Sequence, residues 1–360
     1  MDFSAPKFSG LAVYTPGEQP KDKRYLKLNT NESPFPLSPH AQEALKRDDL
    51  ADLRLYSDPE STELTAALAA HYGLCSDQVL VTNGSDEALA FAFLIFCQNK
   101  VRYPAISYGF YRSFASLARI EACEVELKED FSIDPADYFD SDCPVVIANP
   151  NAPTGLALPR CAIEEILRRN PGQIVVIDEA YVDFGAESAV PLIARYPNLV
   201  VVGTFSKSRS LAGGRIGFAL SSKDNIDALK RIKYSFNPYN VNRMSAIVAK
   251  AAVEDDAYFR ACCAAVAATR ERTKTALIER GFGVTDSKAN FLFAAHPAID
   301  GETLYLELKK RGVLVRFLKG ERLRPYVRVS VGSDADMERF LAEVDAITAS
   351  CPCLSSQNHV

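Results

Sequence analysis

Histidine is scarce in this chain of 360 residues. There are four, His40, His71, His296 and His359, with no metal-ligand spacing among them and none beside a candidate nucleophile. A histidine-based metal centre is therefore not expected, and the chemistry must rest on other residues. Cysteine is commoner, nine in all, but no two are separated by two residues, so neither a zinc knuckle nor a dithiol redox motif is present. The close pairs Cys262-Cys263 and Cys351-x-Cys353 read as inert thiols in a reducing, cytoplasmic setting. Excess positive charge is missing too: the formal net charge is -5, which gives no electrostatic reason to bind nucleic acid. The longest apolar run, 88–96, is too short to span a bilayer. Met1-Asp2-Phe3-Ser4 lacks the basic-then-apolar pattern of a signal peptide. A Gly-x4-Gly-Lys-[Ser/Thr] phosphate loop occurs nowhere.

What is present is a repeated theme. Short runs rich in Val and Ile, at 78–82, 122–127, 144–148, 174–178, 199–204 and 216–220, alternate with helix-like stretches at 86–97, 109–117, 160–169 and 190–194. Several runs are apolar at nearly every position, as strands buried on both faces are. The alternation predicts an α/β domain with a mostly parallel central sheet. Beyond Asn237 the pattern changes. A long Ala-rich helical region at 242–280 precedes a strand at 290–293, a helix at 301–311, strands at 313–316 and 326–331, and a helix at 334–349. That order suits a small α+β domain. The proline-bearing N-terminal segment is expected to be irregular and to pack onto it. Residues 40–237 are thus expected to form a large domain, and 1–39 with 238–360 a small one. The chain from Cys351 onward reads as a frayed tail.

Three segments carry chemistry. In Val81-Thr82-Asn83-Gly84-Ser85-Asp86-Glu87 a strand ends, a glycine turns the chain and a helix begins. Free N–H groups and the positive end of the helix dipole make such a start an anion site, although Ser85 or Asp86 can equally act as an ordinary cap. In Val176-Ile177-Asp178-Glu179-Ala180-Tyr181 a carboxylate stands at the end of a buried strand. A cation, such as a protonated pyridine nitrogen, would relieve its burial, and a helix cap would need no ligand. In Thr204-Phe205-Ser206-Lys207-Ser208-Arg209, followed by Gly213-Gly214-Arg215, a lysine follows a buried strand. Desolvated and near other cations, it becomes a usable amine nucleophile. Thr204, Ser206 and Arg215 offer hydroxyls and a planar fork to an anion. A solvated basic loop is the bland alternative, and it leaves the interleaved hydroxyls and glycines unexplained.

Taken together, and with Asn29-Thr30-Asn31-Glu32, Tyr56-Ser57-Asp58-Pro59, Tyr103-Pro104-x2-Ser107-Tyr108-x2-Tyr111, Asn149-Pro150-Asn151-Ala152-Pro153-Thr154-Gly155 and Val327-Arg328-Val329-Ser330, these segments resemble the class I/II aminotransferases. These are fold-type-I enzymes dependent on pyridoxal 5'-phosphate, and within them the chain most resembles the histidinol-phosphate aminotransferases. The resemblance implies that Lys207 holds the cofactor covalently and carries the α-proton. It implies that Asp178 pairs with the ring nitrogen and that Tyr181, with an asparagine, bonds the ring oxygen. Tyr108 is implied to stack on the ring. The backbone at Ser85 and Asp86, with Thr204, Ser206 and Arg215, is implied to hold the phosphate. Tyr56 is implied to reach the cofactor phosphate of a second subunit, making the enzyme a homodimer, and Arg328 to grip the substrate's anion. Two positions depart from the pattern. Ala152 stands where the family usually has asparagine, so Asn151 is expected to shift into that role or Tyr181 to act alone. Ser57 stands where proline is common.

Arg316, in Gly312-Val313-Leu314-Val315-Arg316, matches a second fork beside Arg328, or is a surface arginine at a strand end. Tyr25 and Asn31 are expected to line the same end. The implied reaction is transamination between histidinol phosphate and 2-oxoglutarate. An aromatic or broad-range aminotransferase and a threonine-phosphate decarboxylase remain as alternatives on the same scaffold. A cofactor-binding regulator would carry a DNA-binding module, which the chain does not show.

Overall fold

A computed structural model describes residues 5–8, 10–45, 49 and 51–350 of the chain. The Cys351-x-Cys353 pair, His359 and the expected tail lie outside the described residues.

The large sheet has seven strands: β2 (Val79–Thr82), β3 (Lys100–Pro104), β4 (Glu121–Val125), β5 (Val145–Ala148), β6 (Val175–Asp178), β7 (Leu199–Thr204) and β8 (Gly217–Ser221). Their order is β2-β8-β7-β6-β5-β3-β4, and only β8 runs against its neighbours. Successive side chains on a strand point to opposite faces. Val145, Ile147, Val175, Ile177, Leu199 and Val201 therefore enter one core, and Val146, Ala148, Val176, Val200 and Val202 the other. This is why the runs are apolar throughout rather than alternating.

Helices cover both faces: α1 (Pro39–Glu43), α2 (Thr62–Tyr72), α3 (Ser85–Phe96), α4 (Phe110–Ala118), α5 (Arg160–Arg169), α6 (Lys223–Phe236) and α7 (Arg243–Glu254). The region expected as one helix at 242–280 is two. Asp255, at φ -91 and ψ 62, ends α7 and caps α8 (Asp256–Glu279) by accepting a bond from the Tyr258 amide. Val241, Val248, Ala249 and residues 251–253 pack in the same core as the central strands. The segment around α7, expected in the small domain, thus packs with the central sheet. The 190–194 stretch forms one 3-10 turn, Val190–Leu192.

A second sheet has four antiparallel strands, ordered β12-β13-β10-β9, from β9 (Gly283–Val284), β10 (Phe291–Ala295), β12 (Arg316–Phe317) and β13 (Tyr326–Ser330). Helices α9 (Gly301–Lys310) and α10 (Asp334–Ala349) pack on it around Leu304, Leu308, Phe340 and Val344. The N-terminal segment contributes β1 (Leu26–Lys27), which pairs in parallel with β11 (Val313–Leu314). The run expected as one strand at 313–316 is therefore divided between two sheets. No helix among the described residues is long and apolar enough to cross a membrane.

Candidate active site

Because β2, β5, β6 and β7 run the same way, Thr82, Ala148, Asp178 and Thr204 end at one edge of the sheet. β8 runs the other way and begins there, at Gly217. A cavity of about 580 Å³ opens at that edge. Its walls come from the strand ends, from the second sheet and its β12–β13 loop at Arg316, Lys319 and Arg328, and from an N-terminal strap at 12–17.

One end of the cavity is built for an anion. Helix α3 starts there with no side-chain cap, so the amides of Ser85 and Asp86 and the helix dipole face the space. Thr204, Ser206 and Arg215 line the same end. Two glycines let the parts meet. A Cβ on Gly217 would fall 2.2 Å from the Ser85 nitrogen, and one on Gly84, whose φ is +79, would fall 2.5 Å from the Arg215 guanidinium. The Asp86 carboxylate accepts from Arg215 Nη2 at 3.0 Å and from the Tyr108 hydroxyl at 2.8 Å. It thereby ties the cation to the aromatic side of the cavity.

The centre holds Asp178 and Lys207. Asp178 is 4% exposed; its Oδ2 accepts from the Tyr111 hydroxyl at 2.8 Å and its Oδ1 from the Ala180 amide at 3.2 Å. Burial raises its carboxyl to about 6, against the pull of those two bonds. Lys207 Nζ donates to the Thr30 carbonyl at 3.0 Å and lies 5.8 Å from the centre of the Tyr181 ring. Burial first, then the charge of Arg328, bring its amine down to about 8. The Tyr181 hydroxyl accepts from Asn31 Nδ2 at 3.0 Å, and burial raises its pKa.

The far end is cationic. Arg316 and Arg328 stand directly opposite each other in the β12–β13 ladder, where like charges repel unless an anion joins them. Arg328 donates to the Asn29 carbonyl at 3.2 Å and lies over Phe291. Its Nε is buried without a partner, as are Asn29 Oδ1 and Thr30 Oγ1 of the same cavity wall. Arg316 spends Nη1 and Nη2 on the carbonyls of Pro16 and Thr15, at 3.1 and 2.9 Å.

Of the residues singled out in the sequence, Ser85, Asp86, Tyr108, Asp178, Tyr181, Thr204, Ser206, Lys207, Arg215, Arg316 and Arg328 line this one cavity. Four others are placed differently. Asn151 is turned away: its Oδ1 accepts from Ser107 at 2.7 Å and its Nδ2 donates to the Ile106 carbonyl at 2.9 Å. Ala152 lines the cavity and Asn151 does not, so the structure brings Tyr181, but not Asn151, to the site. Tyr25 is not among the lining residues; its hydroxyl goes to Asp22 at 3.0 Å. Asn31 acts one step back, held at φ 55 by Ser330 and Asn290, and reaches the site only through Tyr181. Tyr56 is 78% exposed and stacked on Tyr239, outside the cavity of its own chain. Three contributors went unread. Tyr111 and Thr30 lie within segments already singled out, Thr30 acting through its carbonyl, while Tyr14 sits on an irregular strap that no periodicity marks.

These residues fit pyridoxal 5'-phosphate on the structure's own terms. A capless helix start in a glycine cradle suits its phosphate, a buried carboxylate lacking a cation suits its ring nitrogen, and a depressed lysine amine suits its aldehyde.

Comparison with known proteins agrees. The family model for aminotransferase class I and II matches residues 23–344. A histidinol-phosphate aminotransferase of Brachyspira hyodysenteriae is 48% identical over 348 residues, covering 96% of this chain and 98% of the relative. One from a Marinomonas species is 49% identical over 350 residues, covering 96% and 99%. Among solved structures, the Sinorhizobium meliloti histidinol-phosphate aminotransferase in complex with pyridoxal-5'-phosphate superposes with a TM-score of 0.81 at 24% identity, covering 90% of this chain and 92% of that one. At that identity the likeness is one of fold.

Proposed function

The chain belongs to the class I and II aminotransferase family, and from that premise we propose that it transfers the amino group between L-histidinol phosphate and 2-oxoglutarate, in histidine biosynthesis. The products are imidazole-acetol phosphate and glutamate. The observation that carries this reading is a single cavity with two cationic parts, the start of α3 beside Arg215 and the pair Arg316 and Arg328. One suits the cofactor's phosphate. The other, with Arg316 and Arg328 paired across a ladder, offers more positive charge than one carboxylate requires.

Bound at the first end, pyridoxal 5'-phosphate supplies an electron sink for the charge left on the substrate's α-carbon. The protein's own groups do the rest. Asp178 would keep a proton on the ring nitrogen by offering a buried carboxylate to it. Tyr181, fixed by Asn31, would offer its hydroxyl to the ring oxygen. Tyr108 would line the side of the cavity that takes the ring. Lys207 takes the proton from the α-carbon of the amino donor and returns one to the α-carbon of the keto acceptor. With its pKa near 8, about a tenth of the free amine is unprotonated at neutral pH, far more than an exposed lysine provides. Arg328 and Arg316 orient the substrate phosphate.

The same reading makes the enzyme a cytoplasmic homodimer in which Tyr56 reaches the neighbouring cofactor phosphate. Its high exposure supports a role outside its own chain. Sedimentation of the holoenzyme tests the dimer. The substrate is tested by following the cofactor's visible absorbance in single half-reactions. Loss of the band with histidinol phosphate at far lower concentration than with phenylalanine supports the proposal. A faster response to phenylalanine assigns the aromatic reaction instead, and release of carbon dioxide from threonine phosphate assigns the decarboxylase.

A further inference from the structure

The wall of the cavity at 12–17 has no regular secondary structure, so its position depends on a few tethers. At one end the Ala12 amide donates to Ser116 Oγ of α4 at 3.1 Å, and the Tyr14 ring packs 4.6 Å from Phe110 of the same helix. In the middle, Arg316 holds the Thr15 and Pro16 carbonyls. At the other end Glu18 is fastened three ways. Its carboxylate accepts from the Tyr305 hydroxyl and from Lys309 Nζ, both on α9, and its carbonyl accepts from Asn29 Nδ2 at 2.9 Å. Between these tethers Gly17 lies so close to Thr30 that a Cβ there would fall 2.5 Å from Thr30 Cγ2. The strap thus rests on the residue whose carbonyl receives Lys207.

Glu18, Tyr305 and Lys309 do not line the cavity. We propose that Glu18 is a positioning residue for substrate binding: its clasp on α9, outside the cavity, sets where the 12–17 wall lies above the substrate. Partial burial works against the charge of Glu18, yet the bonds from Lys309 and Tyr305 hold its carboxyl below the usual range. The ion pair is about one-third exposed on both sides, so its loss loosens the strap by a modest factor instead of unfolding it. The role does not depend on which amino donor the enzyme takes, because the wall faces whatever occupies the cavity.

The test uses the holoenzyme and the substitution Glu18→Gln, which keeps an acceptor and removes the charge. Amide exchange at 12–17 is expected to speed up about two- to fivefold, with KM for histidinol phosphate and for glutamate rising by a similar factor. The kcat and the cofactor's absorbance are expected to stay unchanged. Lys309→Gln is expected to behave alike, and the double variant to be no worse than either single one. Unchanged exchange at 12–17 would overturn the proposal. So would exchange rising equally in β5 and β6, which would mark general destabilisation, or a fall in kcat at constant KM.

Discussion

Replacing Tyr111 by phenylalanine removes one oxygen atom and leaves the buried ring packing intact. The lost hydroxyl donates at 2.8 Å to Asp178 Oδ2, and both residues are almost fully enclosed. A hydrogen bond to a charged group contributes about 1.5–3 kcal/mol. At about 1.4 kcal/mol per pKa unit, its loss moves the Asp178 carboxyl from about 6 upward by roughly one to two units. An aspartate whose folded pKa lies above its unfolded value binds more protons in the folded state. Folding stability of the apoprotein therefore falls as pH rises from 3.8 to about 6, by roughly 3 kcal/mol from this residue. In Tyr111→Phe that decline is expected to continue to about pH 7–8. Urea unfolding of the two apoproteins across pH 5 to 8 reads the difference directly. The variant's deficit is expected to be small at pH 5 and to grow to about 1.5–3 kcal/mol by pH 8. A deficit independent of pH would refute the reasoning, since it would mean that Tyr111 contributes packing and not a bond to the ionised carboxylate.

Other expectations follow from the same geometry. In the apoprotein the reaction of Lys207 with a simple aldehyde should rise with pH to a midpoint near 8, and Arg328→Met should move that midpoint upward, because a neighbouring cation is removed; an unmoved midpoint would dissociate the two residues. Gly217→Ala places a methyl group against the Ser85 amide, so cofactor affinity measured by equilibrium dialysis should fall at least about tenfold, with a stability loss of about 1–3 kcal/mol; unchanged affinity would remove the helix start from the phosphate site. Arg316→Ala should lower kcat/KM for histidinol phosphate about tenfold or more and for glutamate much less; equal losses would show that Arg316 only holds the strap.

How much of this was legible in the sequence depends on the kind of signal. Val175–Asp178 and Leu199–Thr204 are apolar because both faces are covered, and their last residues necessarily share an edge. β3 escaped because Lys100 and Arg102 break its apolar run, although Val101, Tyr103 and Pro104 are buried. Helices α2 and α6 escaped although Leu64 with Leu68, and Ile226 with Leu229, repeat at helical spacing. The break at Asp255 is marked by no Pro or Gly, only by an aspartate of the type that caps helices. In the site, charged residues at strand ends announce themselves. The carbonyl of Thr30, the hydroxyl of Tyr111 and the ring of Tyr14 do not, since their roles come from tertiary placement. Asn151 shows the converse. Its side-chain type suits the ring oxygen, but its bonds to Ser107 and the Ile106 carbonyl come from tertiary placement.

The claim on which everything else rests is that Lys207 is the amine that carries the cofactor. Borohydride reduction of the loaded enzyme, followed by digestion and mass mapping, fixes the cofactor to whichever lysine holds it. The expected result is a single modified peptide with the label on Lys207, and no label in Lys207→Ala. Label on any other lysine, or an unlabelled chain that still transfers amino groups, would contradict the account.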